Sequence, residues 1–100
     1  MEYRVDINDG QAIVYLTGEI DLDKSPAARA ALLHCVTQHS AVHVDMSAVD
    51  YIDSSGVASL VEALQKARSR KVEFHLRQVS PATLKVLALA RLDRVFSILD

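Results

Sequence analysis

Polar and apolar residues alternate at the start of the chain. Tyr3, Val5 and Ile7 are interleaved with Arg4 and Asp6, the period of a half-buried strand. Asn8-Asp9-Gly10 then reads as a hairpin turn, because glycine accepts the positive φ such turns need. Ala12 to Thr17 is almost continuously apolar and predicts a more buried strand, which Gly18-Glu19-Ile20-Asp21 leads out of. Ser25-Pro26 predicts a helix start, with serine as the cap and proline where its missing N–H is not needed. Ala27, Ala30, Ala31, Leu33 and Val36 supply that helix with apolar positions. Ala41 to Met46 predicts a short strand that Tyr51-Ile52 either extends or supplements with a bridge.

The clearest helix comes after Asp53-Ser54-Ser55-Gly56. Val57, Leu60, Val61, Leu64 and Ala67 form one apolar stripe, and Glu62, Gln65, Lys66 and Arg68 fall off it. The basic stretch Arg68 to Lys71 suits the negative end of a helix dipole. Val72 to Leu76 predicts a strand with Val72, Phe74 and Leu76 on one face. Ser80-Pro81 repeats the capped start, Thr83 to Leu92 predicts a third helix, and Val95 to Leu99 a last strand. The order β-β-α-β-α-β-α-β implies an α/β fold: a single mixed, mainly parallel sheet flanked by helices. In such sheets, sites gather where the C-terminal ends of strands feed helix N-termini.

One hundred residues are enough for one domain, expected over 1–100. Half the residues are apolar and 24% are charged, which argues against disorder. No apolar run approaches a membrane span and no leader is visible, so membrane insertion is not expected. Cys35 is the single cysteine and has no internal disulfide partner, which fits a reducing, cytoplasmic setting. The net charge of −2 argues against direct nucleic-acid binding. That charge is unevenly spread. Residues 1–53 carry nine acidic and three basic side chains, net −6, whereas residues 54–100 carry eight basic and four acidic, net +4. Such a distribution gives solvated faces of opposite sign, or a surface dipole that orients a charged partner.

Candidate chemistry is sparse. The G-x-S-x-G nucleophile elbow is absent, and none of His34, His39, His43 and His75 is placed by the pattern beside Ser54 or Ser55, so catalytic residues are not expected. No C-x-x-C or H-E-x-x-H spacing points to a metal, and three glycines build no phosphate-cradling loop, so no cofactor is implied. Cys35 reads as a small core residue. The one distinctive constellation is Asp53-Ser54-Ser55-Gly56, between a strand and the amphipathic helix. As structure, it is a set of good capping and turn residues. As function, it presents a serine hydroxyl at the positive end of a helix dipole, where a phosphate would gain free N–H donors. A phosphate would also add about two negative charges beside Asp53, and near Asp21 and Asp23 in the parallel-sheet arrangement. Such a change ejects a partner without unfolding the domain.

Three segments give the chain a resemblance to STAS domains, the family of bacterial anti-sigma factor antagonists. They are Leu16-Thr17-Gly18-Glu19-Ile20-Asp21, Val44-Asp45-Met46-Ser47 with Val49, and Tyr51-Ile52-Asp53-Ser54-Ser55-Gly56-Val57. Val79-Ser80-Pro81 and Leu92 to Ile98 match more loosely. The resemblance implies a non-enzymatic module that binds an anti-sigma factor, itself a serine kinase, and so frees a sigma factor. It implies Ser54 as the phosphoacceptor, with Ser55 the neighbouring alternative, and a phosphatase that resets the switch. It also implies a partner surface of Asp21, Asp23, Asp53, Ser54, Ser55 and Gly56, the glycine letting a partner backbone approach the helix start. Two features differ from the antagonists. The chain ends at its last strand without a further helix, and Leu89-Ala90-Arg91-Leu92 lacks their usual Ser-Gly pair. Both resemble the compact STAS subunits of Mla-type phospholipid-transport ABC systems, where the partner would be a permease.

Overall fold

A computed structural model of the chain describes residues 3–99; residues 1, 2 and 100 of the expected single domain lie outside the described part. Strands β1 (Arg4–Asn8) and β2 (Gln11–Ile20) form the first hairpin, antiparallel, with Asn8 opposite Gln11. Asp9 and Gly10 turn the chain, with φ of 53° and 79°. Two successive positive φ values match the right-handed twist of the strands they join. The remaining elements alternate: α1 (Ser25–Gln38), β3 (Ala41–Ile52), α2 (Ser54–Arg70), β4 (Glu73–Arg77), α3 (Pro81–Leu89) and β5 (Ser97–Leu99). The predicted element order and the mixed α/β sheet are those observed.

The sheet order follows the chain, β1-β2-β3-β4-β5, and every pair after the hairpin is parallel. Successive right-handed crossovers taken in one direction set the helices against one face of the sheet. On that face Ala12, Val14, Val42, Val44 and Leu76 are fully buried, and they meet Leu32 and Val36 of α1, Leu60 of α2 and Leu87 of α3 in one core. The α2 stripe is buried at Val57, Leu60, Leu64 and Ala67, with Ala63 beside it. Cys35 is part of the core, and burial raises the pKa of its thiol.

Several boundaries differ from the pattern: α3 stops at Leu89 rather than Leu92, β5 begins at Ser97 rather than Val95, and two further differences bear on the site. Of the two alternatives for Tyr51-Ile52, extension is the one observed: β3 runs past Met46 to Ile52, because register shifts against β2 let it keep pairing where alternation fails. The buried residues Met46, Val49 and Ile52 are spaced by three, a spacing that a straight strand cannot bury on one face. Asp45 braces the first shift: its carboxylate accepts hydrogen bonds from the Ser47 N–H (2.9 Å) and hydroxyl (2.6 Å). The second departure is the start of α1, where Ser25 is not the cap. Lys24 holds that position without a side-chain bond, and Ser25 is buried in the first turn. Asp21 holds the turn that leads into the helix, its carboxylate accepting from the Asp23 and Lys24 N–H groups at 3.1 Å each and its carbonyl from the Ser25 N–H at 2.8 Å. At α3 the expectation holds, with the Ser80 hydroxyl accepting from the Thr83 N–H at 3.1 Å.

The opposite face of the sheet carries cross-strand polar rows. Arg4, Tyr15, Asp45 and Arg77 are register partners in one row, and Asp6, Ile13, His43, His75 and Ser97 in the next. Arg77 lies 3.7 Å from the Asp45 carboxylate, and Arg4 stacks 4.0 Å above the Tyr15 ring.

Candidate functional site

The strand-to-helix junction after β3 is built around one carboxylate. Asp53 is the N-cap of α2, in extended conformation, and its Oδ1 accepts from the Ser55 N–H (2.9 Å), the Gly56 N–H (3.1 Å) and the Ser55 hydroxyl (2.5 Å). The spacing explains the geometry: an aspartate reaches the N–H groups two and three residues ahead. The Ser55 hydroxyl, followed by the Gly56 N–H, lowers the pKa of the Asp53 carboxyl against the opposing effect of desolvation. Asp53 is therefore ionised near neutral pH.

The two serines have different fates. Ser55 is half-buried and committed to Asp53. Ser54 is the first residue of α2, is exposed, and makes no side-chain hydrogen bond among the described residues. The expected free donors are largely taken, because the Ser55 and Gly56 N–H groups already serve Asp53. A phosphate on Ser54 would thus meet an ionised carboxylate rather than an empty helix terminus.

Gly56 has a purpose other than the one expected. It is buried, and a Cβ there would stand 2.6 Å from the Ile20 carbonyl oxygen and 2.6 Å from Ile52 Cγ1. The missing side chain lets α2 start against the end of β2, within this chain, so the space is not open to a partner backbone.

The β2–α1 loop is fixed beside this junction. The Asp53 N–H donates to the Ile20 carbonyl at 3.3 Å, and the buried Ser59 hydroxyl lies 3.1 Å from the Ser55 carbonyl of its own helix and 3.3 Å from the Ser25 carbonyl. Asp21 is half-buried with its carboxylate turned onto its own loop, whereas Asp23 is exposed. Leu22, between them, is 74% exposed, and its N–H also contributes to holding Asp53 ionised. Tyr51, two residues before Asp53, is also exposed. The sequence pattern does not single out Leu22, and it reads Tyr51 as part of a strand or bridge and of a segment that carries the family resemblance rather than as an exposed surface residue. The usable signal was their position, beside polar turn residues rather than on a stripe.

The histidines stand apart from Ser54 and Ser55. His43 and His75 are paired across β3 and β4 on the helix-free face, with ring centroids 5.0 Å apart. His75 Nδ1 lies 2.7 Å from the Ser97 hydroxyl and Nε2 lies 3.3 Å from Glu73. This set, with Ser97 on β5 and both His75 and Glu73 on β4, presents its nitrogens in the reverse of the usual hydrolase order. Among the described residues, no group of three or more histidine, cysteine or acidic side chains could hold a metal ion. No described helix is long and apolar enough to cross a membrane.

A family model described as "Mlab, STAS domain" matches residues 3–100. The chain belongs to the STAS domain family. A curated relative, the anti-sigma-B factor antagonist of Listeria monocytogenes, is 27% identical over 86 residues, spanning 85% of this chain and 75% of that protein. The crystal structure of an anti-sigma factor antagonist from Mycobacterium paratuberculosis superposes with a TM-score of 0.87 at 30% identity, covering 96% of this chain and 82% of that one. The Bacillus cell-fate determinant SpoIIAA, solved in its phosphorylated form, shares the fold with a TM-score of 0.76 at 17% identity, covering 98% and 91%. This STAS domain therefore shares its fold along nearly its full length with regulatory proteins, and the Asp-Ser-Ser-Gly segment lies at a tightly packed junction of that fold.

Proposed function

We propose that this STAS domain is an anti-sigma factor antagonist: a regulatory binding module, without catalysis of its own, switched by phosphorylation of Ser54. The observation that carries the reading is the contrast at the start of α2, where the Ser54 hydroxyl is exposed and unbonded while its neighbour Ser55 is bound to Asp53. A kinase needs an oxygen it can reach, and Ser54 offers one. Asp53 also makes the modification consequential. A phosphate of about −2 on Ser54 stands next to a carboxylate kept ionised by its hydrogen bonds, and the N–H groups that could neutralise it are occupied. The surface around the junction becomes strongly anionic while the core beneath it is untouched.

The partner is an anti-sigma factor with serine-kinase activity, which contacts Ser54, Asp53 and the exposed Leu22 and Asp23 of the neighbouring loop. The unmodified surface binds it and frees a sigma factor. The phosphorylated surface releases it by like-charge repulsion, and a phosphatase restores binding. The named relatives support this reading, because the proteins matched at 27% and 30% identity are both anti-sigma factor antagonists.

Incubation with the cognate anti-sigma kinase and ATP should add one phosphate. The label should vanish in Ser54→Ala and persist in Ser55→Ala, with circular dichroism unchanged in both. Labelling that survives Ser54→Ala sinks the assignment. In calorimetric titration, Ser54→Asp should weaken partner binding by about tenfold or more. Recovery of a membrane permease rather than a kinase in a pull-down from native lysate would overturn the antagonist reading in favour of a transporter subunit.

A further inference from the structure

The free edge of β1 plays no part in the proposed switch. β1 is an outer strand of the sheet, bonded on one side to β2 only. Every second backbone N–H and C=O along an outer strand points away from the sheet, a ready template for another strand. Natural edges block indiscriminate pairing with charges, and β1 carries two, Arg4 and Asp6, both well exposed. Their order has a specific consequence. Read against itself in the antiparallel direction, Arg4-Val5-Asp6 is its own complement.

The register can be chosen on charge. In a two-fold pairing of β1 with itself, directly opposite residues share a face, so the axis passes through a residue. An axis through Arg4 sets arginine against arginine, and one through Asp6 sets aspartate against aspartate. An axis through Val5 sets Arg4 against Asp6 twice, Val5 against Val5, and Tyr3 against Ile7. Opposite charges directly across a strand pair are favourable and like charges are not. Arg4 and Asp6 already meet within one chain at 3.2 Å, so their side chains have the reach that the exchange requires.

The helix side of the same edge lacks a cover. A groove of about 630 Å³ lies between β1 and α1, lined by Val5, Ile7, Ala30, Ala31 and His34 among others. Ile7 is 53% exposed along it. Pairing about Val5 brings the two grooves together across the axis and sets each Ile7 beside the partner's Tyr3 position. The small Ala30 and Ala31 allow the two α1 helices to come close.

We propose that this edge is a self-association surface, and that its occupant is a second copy of this chain paired antiparallel through β1 about Val5. The resulting dimer joins two five-stranded sheets into one continuous sheet.

Sedimentation velocity on the full chain, over a range of concentrations, should show a reversible monomer–dimer equilibrium. Arg4→Asp and Asp6→Arg each create two like-charge pairs by symmetry, and each should raise the dimer's dissociation constant by about tenfold or more. The combined Arg4→Asp/Asp6→Arg variant restores the complementary order and should return the constant to near the parental value. Circular dichroism of all four proteins checks that the exposed changes leave the fold intact. A chain that stays monomeric at every concentration overturns the proposal. So does a dimer indifferent to the single reversals, or one that the combined variant fails to rescue. None of these outcomes bears on Ser54 labelling, so the two readings stand or fall separately.

Discussion

At Gly56, position and packing are inseparable. A side chain there would collide with a backbone oxygen, which cannot rotate away as a side-chain tip can. Gly56→Ala should therefore destabilise the domain by roughly 1–3 kcal/mol, measured by urea denaturation, although alanine is the better helix former. An unchanged midpoint would show that β2 and α2 separate easily, and the rigidity assigned to the junction would be lost. Asp53 and Asp45 present the same device twice. Each precedes, by two positions, a serine whose N–H and hydroxyl both bond to the carboxylate. At Asp45 the device stabilises a bulge, and at Asp53 it starts a helix. The local chemistry was readable from Asp-x-Ser. Which of the two structures it serves depends on the downstream pattern: an interrupted apolar series after Ser47, and a regular helical stripe after Ser55.

Among the elements, the helices show how far local signals carry. Both Ser25-Pro26 and Ser80-Pro81 have the form of a helix start, yet only Ser80 caps. The difference is tertiary. Ser25 is buried where the first turn of α1 packs on α2, and the carboxylate bonding at that end comes from Asp21, on the turn before the helix. Removing the side-chain oxygen should accordingly separate the two. Ser80→Ala should cost about 1 kcal/mol of thermal or chemical stability through loss of its cap bond. Ser25→Ala should not show a capping loss of that kind, and an equal cost at both positions would contradict the assignment. The strands were legible where alternation was clean, as in β1 and β4. The extension of β3 was legible only as one of two alternatives, because two register shifts move Val49 and Ile52 onto the buried face out of phase with the preceding residues.

The sheet has a covered face and an open one, and the open one carries a pH-sensitive histidine, His43. Burial lowers the pKa of His43 below its ordinary value near 6.5, with His75 and Arg77 acting in the same direction and Glu73 opposing them. Its Nδ1 is buried and, among the described residues, has no hydrogen-bond partner. The folded state therefore favours neutral His43. That contribution to stability is complete above the ordinary value and is lost as pH falls through the lowered folded one. Denaturation measured between about pH 7.5 and 5 should show falling stability in the parent and a shallower fall in His43→Phe. Equal slopes would place the proton uptake elsewhere. The adjacency of His43 and His75 could not be read from two residues thirty-two positions apart; it results from parallel pairing in which β3 and β4 lie side by side in one register.

The linear order of residues was enough for the element succession, the α/β class, the parallel tendency and the helix start at Asp53-Ser54-Ser55-Gly56. These depend on periodicity and short-range hydrogen bonding, which neighbours in the chain control. Folding in three dimensions settled the rest: that Ser54 is free while Ser55 is engaged, that Gly56 is packed by Ile20 and Ile52, and that β1 is left with an open edge. Each of those depends on contacts between segments distant in the chain, and steric and electrostatic energies are decided by which atoms actually meet.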